Sequence, residues 1–587
     1  MKSFFKFTFA SILGVLIGLL LFIFIIIGIF SSASAEKPVV VDANTVLFIN
    51  FESPIVDRAS ENPFEFINPA TFSPDSRMGL DNILDNLKKA KDDENITGII
   101  MNLSLLPIGM ATLNEIRDAL IDFKTSGKFI YSYSDIYTHG SYYLASVADK
   151  IFLTPTGSLM FMGLSSEVIF YKGALDKLGI EIQVVRHGEF KGAVERFIYK
   201  KLSAENRLQI QDYLNSLWGH MVEGIAETRN INVDVINQLA DEMAITNAQS
   251  TLEHGFTDSL IYFDEFLNFV KDKTGTEEAK DIQTISLKKY TKVAAKRESK
   301  GLIRNKIAVV YAQGTIIDGD AVSENIGGDA FAKAIRAARR DSSIKAIVLR
   351  INSGGGSGLA SDIIWREVKL AAELKPVIAS MGDVAASGGY YIAAPAHKIL
   401  ANPNTITGSI GVFGMWPNAQ EFVNEKIGIT TEIVKTNDHA DFGFIFEPLA
   451  NDERAILQNE IETFYTGFVE RVAEGRAMTY DEVDQIARGH VYSGADALKI
   501  GLIDDFGGLK KAIDIAAEEA ELEEYRIVKL PKLEDPFQKI ISDLTGKSQL
   551  KILEKELGEN YIYYEELKSI KEMKGIQALM PYRLVVR

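Results

Sequence analysis

The stretch Asp383-Val384-Ala385-Ala386-Ser387-Gly388-Gly389-Tyr390-Tyr391 sets a serine among small residues, where an apolar run gives way to a helical pattern. Such neighbours leave Ser387 Oγ unobstructed at a helix N-terminus, where the dipole and the Gly388 N–H would favour a developing oxyanion. Taken singly, Ser-Gly-Gly is also an ordinary helix cap. Upstream lies Asn352-Ser353-Gly354-Gly355-Gly356-Ser357-Gly358. Glycines there let backbone approach a ligand closely and leave N–H groups free to face an anion. A phosphate loop fits poorly, since no Gly-Lys-Ser/Thr follows the cluster and no G-x-G-x-x-G is present. A tight turn needing positive φ explains the glycines equally well.

A nucleophilic serine needs a base. His397 stands ten residues after Ser387, across the intervening helix, and reads as a cap or packing residue. His139, His187, His220, His254, His439 and His490 form no Ser/His/Asp pattern. Lys191 lies in Arg186-His187-Gly188-Glu189-Phe190-Lys191-Gly192-Ala193-Val194-Glu195-Arg196-Phe197, among small and aromatic residues that could desolvate its amine. A lysine titrates near 10.4, about three units too high for a base at neutral pH, and burial can supply such a shift. Most lysines are surface residues, and spacing alone does not select this one.

The elements that must hold these residues come in two copies. ITGIIMNLS (96–104) matches IKAIVLRIN (344–352), and SYSDIYTHGSYYLASVADKIFLTP (132–155) matches SMGDVAASGGYYIAAPAHKILANP (380–403), both at an offset of 248. ALKIGLID (497–504) echoes TLEHGFTD (251–258) at an offset of 246. One register held through strand, turn and helix indicates a tandem duplication, 45–290 and 305–525, with a Lys-rich joint at 288–301. At the slots of Gly355, Gly356, Ser387, Gly388 and Ser409 the first copy has Pro107, Ile108, His139, Gly140 and Phe161, while Asp383 and Tyr390-Tyr391 recur as Asp135 and Tyr142-Tyr143. The scaffold is shared, and the candidate chemistry is not.

Each copy alternates β and α. In the second, 306–312, 345–351 and 376–381 are short β-branched runs, and 361–374 has helical periodicity with Ser361 as its N-cap. Alternation of this kind predicts parallel sheets covered by helices, an α/β fold. The Lys-, Glu- and Leu-rich tail, 526–587, reads as a helical extension docked on the body or a partner.

At 587 residues the chain should hold several domains. A net charge of −17 excludes a nucleic-acid binder, which needs a basic stripe against phosphates. The absence of cysteine excludes disulfides, thiolate metal sites and a cysteine nucleophile. After Lys2 and Lys6, the apolar run 7–30 would span about 36 Å as a helix, enough for a bilayer core of about 30 Å. Ala33-Ser34-Ala35 fits a signal cleavage site, but cleaved signals have shorter apolar regions, so residues 1–35 read as a retained anchor. Either way, residues 36–587 are expected across the membrane, with the two lysines inside.

GEFKGAVERF, NSGGGSG, DVAASGGYY and NPNTITGSIGVFG, in this order and in these halves, resemble the signal peptide peptidase A (protease IV) family in its long Gram-negative form. The resemblance implies duplicated Clp protease/crotonase-like halves behind one transmembrane helix. It implies a Ser–Lys dyad shared between the halves, with Ser387 as nucleophile and Lys191 as general base. Ser409 would orient the lysine amine, and the N–H groups of Gly388 and Gly355 would form the oxyanion hole. Gly354 departs from the proline common there, which would loosen the turn and keep the N–H groups. The resemblance further implies signal-peptide remnants and other unfolded apolar peptides as substrates, no metal or cofactor, and a homo-oligomer, a tetramer in the family. It places a single-pass protein in the inner membrane with its catalytic part in the periplasm. Lys191 stands 52 residues after His139, and the matching position after Ser387 is His439, so each half keeps one member of the pair. Fusion of the halves favours a dyad formed within one chain. Two other readings use the same fold: an inactive membrane-tethered scaffold, and a crotonase-like acyl-transfer enzyme.

Overall fold

The computed structural model describes residues 39–51, 53–59, 77–104, 106–294, 301, 303–322, 324–533 and 575–580, with scattered positions between 6 and 21. Most of the apolar run 7–30, and with it the expected anchor, lies outside the described residues. Among those described, no helix is long and apolar enough to cross a membrane.

Two sheets whose six parallel strands follow the same order carry the two copies, and the second adds Ile406–Gly408 beside Val377–Ala386, with Val491–Ser493 antiparallel to it. In the first, the order is Ser259–Leu260, Lys150–Leu159, Phe129–Tyr137, Ile96–Asn102, Thr45–Ile49 and Thr284–Ser286. In the second, it is Asp505–Phe506, Lys398–Ala401, Val377–Ala386, Ile344–Ser353, Lys306–Gln313 and Arg526–Leu530. The central runs are buried almost without interruption, as parallel strands covered on both faces must be. Helices repeat as well: Ala204–Arg229 and Asn451–Arg476 are both 26 residues long and occupy equivalent places in the order of elements. On helix Gly328–Arg340, Phe331, Ala332, Ile335 and Ala338 turn one face to the sheet, and burying Phe331 and Ile335 contributes roughly 1.5–3 kcal/mol each.

Three local expectations need correction. The helix after the glycine cluster is Gly358–Ala372, and its cap is Ser357, whose side chain accepts from the Ala360 N–H at 3.2 Å. Ser361 sits inside the helix and donates to the Ser357 carbonyl, because Gly355–Ser357 forms a strand that runs straight into the helix. The second sheet continues past 525, since Arg526–Leu530 pairs with Lys306–Gln313 along its free edge. Of the 526–587 extension, the described residues include two short strands, Arg526–Leu530, and Gln577–Leu579, which joins a separate mixed sheet; residues 534–574, on which the helical expectation chiefly falls, lie outside the described residues.

The halves are bound by exchange. Strand Glu181–Arg186 of the first half pairs antiparallel with Phe413–Asn418 of the second over six residue pairs. Asp383, on the strand that leads to Ser387, accepts from Thr112 N at 2.9 Å and Thr112 Oγ1 at 2.7 Å, which caps the first-half helix Met110–Lys124. Deeper in the seam, fully buried Arg350 places Nη2 2.7 Å from both Asp57 Oδ1 and Glu115 Oε1. Burial opposes its charge, and the two carboxylates outweigh burial and raise its pKa. Arg350→Met therefore leaves two buried carboxylates without a counter-charge and should destabilise the chain by about 3–5 kcal/mol in urea unfolding at pH 7. A loss below about 1 kcal/mol would show that water or the backbone already neutralises the cluster.

Candidate active site

The strand that ends at Ser387 sets the geometry. Val384, Ala385 and Ala386 pair in parallel with Ile406, Thr407 and Gly408, so the next residues of the two strands, Ser387 and Ser409, lie side by side. The Ser387 N–H donates to the Gly408 carbonyl at 2.8 Å and holds the two chains together as they leave the sheet. Ser387 has φ 55° and ψ −116°, and Ser409 has φ 50°. Backbone of this kind is strained for a side-chain-bearing residue and persists only where the surroundings impose it. Here it turns Ser387 out of the strand just before helix Gly388–Ala393.

Lys191 arrives from the first half. Strand Glu181–Arg186 delivers it to the seam, where the His187 N–H donates to the Val412 carbonyl and the Phe190 N–H donates to the Arg488 carbonyl. Gly489, at φ +85°, packs so close that a Cβ there would lie 2.6 Å from Lys191 N. The side chain is fully buried, with Nζ 2.8 Å from Ser387 Oγ, 3.0 Å from Ser409 Oγ and 3.0 Å from the Ser409 carbonyl. Burial is what lowers the amine well below the usual lysine range, with no carboxylate holding its charge. A neutral amine has two N–H groups and one lone pair. Two donors to Ser409 leave the lone pair facing the Ser387 hydroxyl, as a general base requires.

The glycine cluster lies beside this pair. Gly355 has φ +95°, and a Cβ there would stand 2.6 Å from Gly388 N and 2.0 Å from the Ala578 carbonyl oxygen, so only glycine fits. The Gly355 and Gly388 backbones thus meet next to Ser387. The Gly355 N–H donates to Ser353 Oγ at 3.1 Å, a hydroxyl that an oxyanion would have to replace. All five residues singled out in the sequence, Ser387, Lys191, Ser409, Gly388 and Gly355, are therefore gathered at one place within one chain. Two of the candidate histidines are elsewhere: His397 Nδ1 accepts from the Val377 N–H, and His439 is half-exposed beside Asp452 and Glu453. His490 is nearer, but it meets the site through its carbonyl, which accepts from the Ser409 N–H, while its ring stacks on Phe190. In the first half the matching slot is filled with rings. His139 lies 5.8 Å from Phe161 and 6.1 Å from Trp218, and its Nε2 accepts from the Met162 N–H. Among the described residues no cluster suited to a metal ion is present.

Neither the Asp57–Arg350–Glu115 group nor the C-terminal strand was foreseen from the residues alone. The one signal for the first was an arginine inside an apolar run, KAIVLRI, where the first copy has Asn102.

Comparison with known proteins identifies the family. The peptidase family S49 profile matches twice, over residues 122–277 and 369–523, one match in each half. Protease 4 of Haemophilus influenzae is 38% identical over 444 residues, 74% of this chain and 71% of that protein. Protease 4 of Salmonella typhi is 35% identical over 83% of this chain and 80% of its own length. The chloroplastic serine protease SPPA of Arabidopsis thaliana is 34% identical over 80% of this chain and 70% of its own. Among solved structures, a point mutant of ClpP1 from Listeria monocytogenes aligns with a TM-score of 0.24 and 17% identity, over 35% of this chain and 94% of that one. The chain belongs to peptidase family S49, with the family's domain present twice, and is a serine peptidase of the Protease 4 (SppA) kind.

The buried amine has a stability signature. Its folded pKa is lower than its unfolded one, so the unfolded chain binds the extra proton and stability rises with pH towards the ordinary lysine value. Lys191→Met removes this linkage. From pH 7 to 9 the wild type should gain on the variant by up to about 1.4 kcal/mol per pH unit in urea unfolding. A difference that stays flat across this range would mean that Lys191 is charged in the folded protein.

Proposed function

We propose that this chain is a membrane-anchored endopeptidase with a Ser387–Lys191 dyad, which degrades cleaved signal peptides and other unfolded apolar peptides on the periplasmic side. The observation that carries the dyad is the 2.8 Å approach of a fully buried, carboxylate-free lysine amine to Ser387 Oγ. As Oγ attacks the scissile carbonyl, neutral Lys191 takes the hydroxyl proton and a tetrahedral oxyanion forms. The N–H groups of Gly388 and Gly355 hold that oxyanion. Lys191 then gives its proton to the leaving amine as the C–N bond breaks and an acyl-enzyme remains. Water, deprotonated by the same amine, attacks the ester and releases the acid and Ser387. Ser409 keeps two of the amine's directions occupied, so that the third points at Oγ.

The membrane and substrate parts rest on different support. The run 7–30 is long enough to anchor the chain, and its flanking lysines would keep the N-terminus inside. A relative named Protease 4 and another named SPPA fit a peptide-degrading role. We include in the proposal a homo-oligomer, which would enclose the sites and restrict them to unfolded chains.

Ser387→Ala and Lys191→Ala should each abolish peptide hydrolysis by the detergent-purified full chain while leaving circular dichroism and thermal melting in place, because the members of a dyad act as a unit. If Lys191→Ala kept more than about a tenth of the wild-type rate near neutral pH, the base assignment would be wrong. In the same cells, the wild type should stay with membranes after a high-salt wash and be digested by protease added from the periplasmic side. Recovery as a soluble protein beginning at Glu36 would refute the anchor.

A further inference from the structure

The direction of the Lys191 side chain is set first by its backbone. Lys191 has φ −75° and ψ 74°, and the Gly192 N–H donates to the Phe190 carbonyl at 2.8 Å. These values define an inverse γ-turn with Lys191 at its centre. Three residues closed by one hydrogen bond make a soft unit, so where the amine points depends on what braces the turn. The brace is an amide from another element.

Gln209 lies on the first-half helix Ala204–Arg229, and its side chain is buried. Its Nε2 donates to the Phe190 carbonyl at 3.1 Å, the same oxygen that closes the turn. A carbonyl oxygen has two lone pairs, so it accepts both donors. Gln209 Oε1 accepts from the Val491 N–H at 3.0 Å. Val491 opens the strand Val491–Ser493, which runs antiparallel to Ile406–Gly408. The residue before it, His490, accepts from the Ser409 N–H through its carbonyl at 2.6 Å. One amide therefore joins the turn that carries Lys191 to the strands that hold Ser409. A carbonyl on one side and an N–H on the other fix which end of the amide faces which partner.

The helix supports this amide in turn. Gln209 Nε2 also donates to Asn206 Oδ1, one helical turn back. Asn206 is fully buried, and its Nδ2 donates to Ser203 Oγ at 3.0 Å. It stands so close to the lysine turn that a Cβ on Gly192 would collide with Asn206 Oδ1. The second copy offers a comparison inside the molecule. Helix Asn451–Arg476 has the same length, and Ile456 occupies the place that Gln209 has in its own helix. Ile456 is half-exposed. The fold does without a buried amide there, and the copy that has one is the copy that supplies the lysine.

We propose that Gln209 is a positioning residue: it holds the Lys191 turn and the Ser409 strands in one frame, so that the amine keeps its two donors on Ser409 and its lone pair on Ser387 Oγ. The inference rests on the Ser387–Lys191 reading and goes beyond it, since Gln209 acts through the Phe190 carbonyl and the Val491 N–H and is not part of the dyad. Without the amide these two backbone groups lose their common partner and the turn is free to tilt. A misplacement of about 1 Å is enough to cost about a hundredfold in rate. A looser seam also lets water approach the amine and weakens the burial that lowers its pKa.

The test compares Gln209→Met with wild type in the full-length, detergent-solubilised chain. Methionine has the length of glutamine and lacks its amide. For a reporter peptide, kcat should fall about 10- to 100-fold with KM within about twofold, because the contacts to substrate are untouched. The inflection in the pH profile of fluorophosphonate labelling at Ser387 should move up, towards the ordinary lysine value. Gln211→Met is the control: Gln211 is exposed on the same helix, where it bonds Asn215, and both readouts should match wild type. If Gln209→Met folds poorly, Gln209→Asn, whose amide is one methylene too short to reach both partners, gives the same comparison. A kcat within about threefold of wild type, or an inflection at the wild-type pH, would overturn the proposal and leave the amide a structural bridge. The dyad reading fails separately: it falls if Lys191→Met keeps the wild-type inflection, whatever Gln209→Met does.

Discussion

A lysine amine buried without an acidic partner is the constraint on which the rest of the site depends. Burial opposes the ammonium form, and the fold offers nothing to restore it except hydroxyl and carbonyl oxygens of two serines. Burial thus favours the neutral amine, the form that the proposed base would need. Everything around it serves that burial. The Glu181–Arg186 strand is held by six residue pairs to the other half, Gly489 and Gly411 clear space along the lysine, and Asp383 ties the serine strand to a first-half helix. The same seam is stiffened by Arg350 and its two carboxylates, which lock Asp57 and Glu115 of the first half against the strand that ends in the glycine cluster.

Duplication explains why the seam can carry the chemistry. Two copies of one sheet share the order of their parallel strands and meet through the paired strands Glu181–Arg186 and Phe413–Asn418, and each has kept a different part of the site. In the second copy the strand-to-helix turn holds Ser387 in a strained backbone. In the first, the corresponding turn holds His139 inside an aromatic packing with Phe161 and Trp218, where burial lowers the imidazole pKa and the Met162 N–H occupies one ring nitrogen. That turn has become core. Its half contributes the lysine and the apolar walls Ile182, Val194 and Phe197 instead.

Much of this could be read in the residues beforehand. The 248-residue offset exposed the duplication because parallel strands buried on both faces leave long apolar runs that align without gaps. Ser387 and the glycine cluster stood out because only one copy retained them. Lys191 was different. Its desolvation arises from Gly489, Val412 and Arg488, hundreds of residues away, so only the family resemblance pointed to it. The strand Gln577–Leu579 was not foreseen because Lys, Glu and Leu dominate the composition of 526–587, while the six described residues 575–580 carry their own apolar, strand-compatible pattern. Ser361 lost its capping role to Ser357 for a similar reason: the glycine cluster was read as a tight turn, and pairing with Thr315–Ile317 and Gln577–Leu579 makes a strand of Gly355–Ser357.

The proposed dyad requires that Ser387 react beside an amine that is neutral at working pH. The most direct measurement is the rate at which a fluorophosphonate labels Ser387 in the full-length protein, followed from pH 5 to 10 by mass spectrometry. The account predicts a sigmoidal rise with an apparent pKa well below the usual lysine value of about 10.4, and a slow rate without that inflection in Lys191→Met. A wild-type inflection at the ordinary lysine value, or the same profile in both proteins, would contradict it.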